Sequence, residues 1–193
     1  MRIIKLNSDY LDIDLLNETI DVLSDGGVIL YPTDTVYGLG ANIFDKCAVN
    51  KIYNLKKRSK DKPLSICVSD VQNISLVANL GVEQENFVSD YLPGPYTFLL
   101  NKKDIVPWYV TPFTDKVGVR VPDSFISRLI SSIFPIVTTS ANISNNVTLN
   151  NPIDILEQLD DEVDLVLDVG VLDGNKPSTV IDLTKEVPTV VRS

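Results

Sequence analysis

Tyr31-Pro32-Thr33-Asp34-Thr35-Val36-Tyr37-Gly38-Leu39-Gly40 is the stretch on which the fold assignment turns. An apolar run, Val28-Ile29-Leu30, leads into it, and a helical pattern follows from about Asp45. Strand, polar loop and helix in that order mark the place where open α/β sheets hold ligands. Thr33, Asp34, Thr35 and Tyr37 offer hydroxyls and a carboxylate. Gly38 and Gly40 permit close backbone approach and positive φ. Alone, the same stretch also reads as an ordinary strand-to-helix turn.

Outward from this loop, hydrophobic periodicity predicts alternating elements. Ile3 to Leu6 is a short strand, and Asp12 to Ser24 a helix with Ile13, Leu16, Ile20 and Leu23 on one face. Gly26-Gly27 ends it. Asp45 caps a helix to about Lys57 that turns Ala48, Ile52 and Leu55 inward. A strand at 64–68 precedes helices at 71–80, capped by Asp70, and 83–92. Strands follow at 96–100 and 117–121, with an irregular segment at 107–112 between them. Asp123 caps a helix at 124–133 whose inward face is Phe125, Leu129 and Ile133. A strand at 136–139 opens into the polar loop Ser140 to Asn146, Pro152 begins a helix to about Leu159, and strands at 164–168, 179–183 and 189–191 close the chain. The predicted class is α/β (mixed), one twisted sheet flanked by helices in a single domain over 1–193.

Composition removes several chemistries. There is no histidine, which excludes Ser-His-Asp and Cys-His catalysis and His-ligated zinc. Cys47 and Cys67 do not form a metal-spaced pair, and no apolar run is long enough to span a membrane or serve as a signal segment. A reduced, cytoplasmic protein is expected. The formal net charge of −9 argues against broad non-specific nucleic-acid binding. Any enzyme here works through Lys, Arg, carboxylates, hydroxyls and main chain.

Against that acidic background, Lys56, Lys57, Arg58, Lys60 and Lys62 crowd into seven positions. They read either as a solvated helix end or as a phosphate clamp. Arg120 lies in the apolar strand Val117-Gly118-Val119-Arg120-Val121. If that face is buried, the guanidinium needs an internal carboxylate or a ligand's. Gly118, two residues earlier on the same face, removes a side chain that would block access. Thr138-Thr139-Ser140-Ala141-Asn142 and Ser178-Thr179 add hydroxyls and an amide at strand ends, suited to a small polar ligand. Neither a Walker A sequence nor Gly-x-Gly-x-x-Gly is present.

Seven ordered segments carry a resemblance: Pro32 to Gly40, Lys56-x-Arg58, Lys62-Pro63-Leu64, Pro93-Gly94-Pro95-x-Thr97, Val117-Gly118-Val119-Arg120-x-Pro122, Ser140-Ala141-Asn142 and Ser178-Thr179-Val180-x-Asp182. The chain resembles the YrdC-like family in its short form, over about Asp12 to Arg192. The resemblance implies a twisted sheet with a large concave basic cavity. It also implies synthesis of threonylcarbamoyl-AMP and pyrophosphate from L-threonine, bicarbonate and ATP, with magnesium on the phosphates. A downstream transferase then acts on tRNA, and double-stranded RNA or tRNA binding is a further implied property. By motif position, threonine falls to Thr35, Cys67, Arg120, Ser140 and Ser178, and ATP to Lys56, Arg58, Lys62, Lys116, Asn142, Asn150 and Arg192. Lys56, Arg58, Ser140 and Asn142 form the implied catalytic set, with no metal ligand among them.

The chain also departs from the family pattern. Cys67 stands where a threonine-contacting histidine is frequent, Asn145 replaces a glycine, Val147 a proline, and Asn150 a frequent threonine. The stretches 96–100 and 176–184 also look like YciO-type members, for which RNA binding or another carbamoyl transfer is the alternative activity.

Overall fold

A computed structural model describes residues 1–6, 12–160, 162–173 and 176–193. Its elements in chain order are β1 (Arg2–Lys5), α1 (Ile13–Ser24), β2 (Ile29–Tyr31), β3 (Gly38–Asn42), α2 (Lys46–Leu55), β4 (Ser65–Cys67), α3 (Ile74–Val77) and β5 (Ala78–Asn79). Then come α4 (Val82–Ser89), β6 (Tyr96–Lys102), β7 (Lys116–Arg120), α5 (Phe125–Ile130), β8 (Ile136–Ser140), α6 (Pro152–Gln158), β9 (Leu165–Asp168), β10 (Thr179–Asp182) and β11 (Thr189–Arg192). The strands form one mixed sheet in the order β1-β9-β2-β3-β8-β4-β7-β6-β10-β11, with β5 paired to β6.

Period-two alternation gives the sheet two different faces. On one, Leu30, Leu39, Val119, Phe98 and Val166 pack with Ala48 and Ile52 of α2, Ile74 of α3, Val88 of α4 and Ile155 of α6. On the other, Ile29, Tyr31, Ile136, Leu165 and Leu167 pack with Leu16 and Leu23 of α1 and Ile126 and Ile130 of α5. This second cover reaches only part of the sheet. Beyond it, the same face carries Thr138, Ser140, Arg120 and Thr97, which line an open cavity. The cavity floor is therefore the uncovered continuation of a core face.

The opening loop differs from its sequence reading. It runs from strand to strand: β3 pairs antiparallel with β2 and with β8, and α2 begins only at Lys46. Gly38 and Gly40 lie within β3, and their role is close approach rather than positive φ, which among the described glycines belongs to Gly26 and Gly170. A Cβ on Gly40 would come within 2.9 Å of the Tyr31 ring, and one on Gly38 within 3.2 Å. Tyr31 is fully buried, and its hydroxyl pairs with Thr138 Oγ1 at 2.8 Å.

Three other expectations change. The helix expected over 71–80 shrinks to the one-turn α3, because Ala78 and Asn79 leave it to pair with β6, while the Asp70 carboxylate accepts from the Asn73 amide. In α5 the buried apolar residues are Ile126 and Ile130, one position beyond the predicted stripe, and Phe125 is exposed. Ser124, not Asp123, caps α5. The cap at Asp45 stands as read, and Asp12, read as the first residue of its helix, caps it; each carboxylate accepts from the amide three residues on.

Candidate functional site

The cavity encloses about 690 Å³, its open mouth included. One wall is the loop after β2. Thr33 Oγ1 accepts from the Thr35 and Val36 amides and donates to the Val36 carbonyl at 2.7 Å, closing the turn on itself. Thr35 Oγ1 is 3.0 Å from Thr33 Oγ1 and accepts from Arg120 Nη1 at 2.8 Å. The sheet supplies the floor through Ser65, Thr97, Arg120, Thr138 and Ser140, and Ser178 opens β10 opposite, 2.8 Å from Thr97 Oγ1. A Cβ on Gly118 would lie 2.7 Å from Ser65 Oγ and 3.3 Å from Thr97 Cγ2, so that glycine leaves room for two cavity-lining side chains.

Three arginines line this space: Arg58, Arg120 and Arg192. Arg120 is the best anchored. Its Nη2 pairs with Asp34 Oδ1 at 2.6 Å, and Nε donates to the Gly94 carbonyl at 3.3 Å. The carboxylate required by an arginine in a buried strand is thus first an internal one, Asp34. Arg58 donates from Nη2 to the Pro63 carbonyl at 2.8 Å and from Nε to that of Lys62 at 3.3 Å, and forms no ion pair among the described residues. Arg192 donates to the Ser178 carbonyl at 2.8 Å. Burial pulls the pKa of Arg58 and of Arg192 below the usual guanidinium value, and for Arg192 the charges of Arg58 and Arg120 act in the same direction. Their positive charges are concentrated around one space, which favours an anion there.

Lys56 has a different place from either alternative read in the charge run. It is 2% exposed, and its Nζ lies beneath the loop after β8, donating to the Ser140 carbonyl, the Asn142 carbonyl at 2.8 Å and Asn142 Oδ1 at 3.1 Å. Burial, with the Arg58 charge, pushes the ammonium down to about 7, while three oxygen acceptors favour its charged form. All three ammonium protons have partners, so Lys56 fastens this loop instead of lining the cavity. Ser140 Oγ donates to Asn142 Oδ1 at 2.7 Å, joining Lys56, Ser140 and Asn142 in one network. In the same loop Asn145 has φ 72, the left-handed region that Asn adopts more easily than most residues, which gives a reason for the glycine frequent at this position.

Other expected contacts lie outside the cavity lining. Cys67 is fully buried among Ile126, Ile130 and Ile136, with Sγ 3.6 Å from Ser131 Oγ. Burial pushes its thiol up to about 12, and it fills space under α5 and is not part of the cavity wall. Native protein is therefore expected to react with a thiol reagent only at the exposed Cys47, with Cys67 following on unfolding. Thiol counts before and after denaturant check this. Lys116 pairs with Asp182 at 2.9 Å, and Asn150 Nδ2 donates to the Leu172 carbonyl at 2.9 Å. Lys62 has an exposed side chain and contributes its carbonyl to Arg58 and Tyr53. Tyr37 packs beneath the site, its hydroxyl donating to the Gly170 carbonyl and accepting from the Val169 amide.

The structure adds Ser65 and Thr97 to the cavity wall and puts Asp34 against Arg120. Thr97 lies in a motif visible in the sequence, and Ser65 faces Gly118 in the register of β4 and β7. The Asp34–Arg120 pair has no such signal, since 86 residues separate its members.

Comparisons with known proteins follow the same geometry. The family model described as Telomere recombination, Sua5_yciO_yrdC, matches residues 21–193. A Pyrococcus abyssi threonylcarbamoyl-AMP synthase is 35% identical over 173 residues, 88% of this chain and 51% of that protein. The crystal structure of P. abyssi Sua5 complexed with L-threonine superposes with a TM-score of 0.92 at 31% identity, covering 100% of this chain and 57% of that one. Escherichia coli YciO superposes with the same TM-score at 30% identity, covering 100% of this chain and 95% of that one. The chain thus spans little more than half of the archaeal synthase and nearly all of YciO. By sequence and by fold, it belongs to the Sua5/YciO/YrdC family.

Proposed function

We propose that this chain is an L-threonylcarbamoyladenylate synthase, a nucleotidyltransferase making threonylcarbamoyl-AMP and pyrophosphate from L-threonine, bicarbonate and ATP. The observation that carries the reading is one hydroxyl-lined cavity holding Thr35, Arg120, Ser140 and Ser178 beside Arg58 and Arg192. It suits an amino acid and an anion side by side. The synthase names of relatives and the threonine bound to P. abyssi Sua5 support it.

The threonine amine and bicarbonate combine, with loss of water, to a carbamate. A carbamate oxygen then attacks the α-phosphorus of ATP, the bond to the β-phosphate oxygen breaks, and pyrophosphate leaves. Arg120 holds the amino-acid carboxylate with N–H groups that its internal partners leave free. Arg58 and Arg192 neutralise charge on phosphate oxygens, and Lys56 fixes the Ser140–Asn142 loop that borders them. Catalysis is positioning and charge stabilisation, which needs no histidine. Among the described residues no cluster of three His, Cys, Asp or Glu side chains is placed to hold a metal. Magnesium fits as an ion carried on the triphosphate, where it neutralises phosphate charge. Transfer of the product's threonylcarbamoyl group to tRNA falls to a separate enzyme, and a cytoplasmic setting suits that role.

Incubation with ATP, bicarbonate and L-threonine is expected to release pyrophosphate only when threonine is present. Release that ignores threonine, or none at any protein concentration, overturns the proposal. The near-complete match to YciO favours a second reading, in which the cavity serves RNA or another carbamoyl acceptor. Replacing threonine by other amines, and measuring salt-dependent RNA binding, separates the two.

A further inference from the structure

We infer that Asp34 is the positioning residue of the amino-acid subsite, orienting the Arg120 guanidinium toward the substrate carboxylate. The inference rests on the synthase reading above.

Arg120 is 5% exposed and carries five N–H donors. Among the described residues, Nε goes to the Gly94 carbonyl, one Nη1 proton to Thr35 Oγ1 and one Nη2 proton to Asp34 Oδ1. One proton on each terminal nitrogen remains for a ligand. The three holders come from two loops, so the guanidinium plane is set before substrate arrives. Asp34 makes the shortest of the three contacts, at 2.6 Å, and the only charged one. Although the Asp34 residue as a whole faces solvent, its side chain is only 12% exposed. Its attraction to Arg120 is therefore poorly screened.

Asp34 acts on Thr35 through the same arginine. Thr33 has one hydroxyl proton, and its shorter contact, to the Val36 carbonyl, uses it. Its two lone pairs face the Thr35 and Val36 amides, and Thr35 Oγ1, 3.0 Å away, accepts from Arg120. Thr35 Oγ1 keeps its second lone pair as an acceptor for a ligand. Donors on Arg120 and an acceptor on Thr35 match the carboxylate and the ammonium of a zwitterionic amino acid. Arg120 keeps this polarity only while Asp34 holds its plane.

The test compares Asp34→Asn and Asp34→Ala with the unaltered chain. Asparagine keeps an acceptor at the same place without the charge, and alanine keeps neither. The KM for L-threonine is expected to rise about 10-fold in Asp34→Asn and about 100-fold in Asp34→Ala, while the KM for ATP moves less than about twofold. Calorimetric titration with L-threonine alone is expected to weaken in the same order. A merely structural role lowers melting temperature without splitting the two KM values. Unchanged threonine KM in both variants, or parallel rises for threonine and ATP, overturns the inference while leaving the synthase reading intact. An unaltered chain that neither binds L-threonine nor releases pyrophosphate in its presence overturns both.

Discussion

Replacing Arg120 with alanine is expected to abolish most threonine-dependent pyrophosphate release and to destabilise the fold. Two charge-assisted bonds to the substrate carboxylate contribute about 1.5–3 kcal/mol each. At about 1.4 kcal/mol per tenfold, their loss raises the threonine KM by at least about 100-fold. The second effect is internal. Arg120 Nη2 and Asp34 Oδ1 are 2.6 Å apart with side chains 6% and 12% exposed, so the alanine leaves a mostly buried carboxylate without its partner. Breaking such a pair costs about 3–5 kcal/mol. Arg120→Lys keeps the charge but loses the planar fork, so it restores part of the stability and less of the threonine affinity. Urea midpoints and threonine titrations read the two losses separately. Wild-type threonine KM in folded Arg120→Ala would place the amino acid elsewhere.

Arg58→Ala is the second large effect, and its character is opposite. Among the described residues Arg58 donates to the carbonyls of Pro63 and Lys62, in its own loop, and its removal leaves no partner charge stranded among the described ion pairs. The stability loss is expected to stay near 1 kcal/mol. ATP use suffers instead. One or two lost contacts to phosphate oxygens raise the KM for ATP by about 10–100-fold, with the threonine KM nearly unchanged. Arg120→Ala and Arg58→Ala thus predict complementary profiles, one on threonine and stability, the other on ATP alone. If Arg58→Ala keeps its ATP KM, Arg58 is not part of the phosphate clamp.

The class, most strands and the cavity-lining hydroxyls were legible because they follow local rules. Apolar residues marked the strand of Val117 and Val119, and the side-chain carboxylate at Asp45 announced a helix start. What local rules missed was set by pairing between distant segments. β3 was mistaken for part of a turn because its glycines answer to Tyr31 rather than to their own dihedral angles. Lys56 read as a solvated helix end or as part of a phosphate clamp, yet its acceptors lie 84 and 86 residues further along the chain. Cys67 shared a motif position with a ligand contact, but α5 covers it, and periodicity on β4 alone does not reveal which half of a face a helix reaches.

Tyr31, Gly38 and Gly40 carry a consequence for how such a sequence can drift. The tyrosine ring occupies the space that side chains on the two glycines would take, at 2.9 and 3.2 Å. Its hydroxyl meets Thr138, which lines the cavity. A larger residue at either glycine displaces the ring, and a smaller residue at 31 leaves a void beside the site. These three positions therefore form one heritable unit: each is tolerant of change only in a background where the others have already changed, and isolated substitutions there are filtered out by packing before any chemistry is tested.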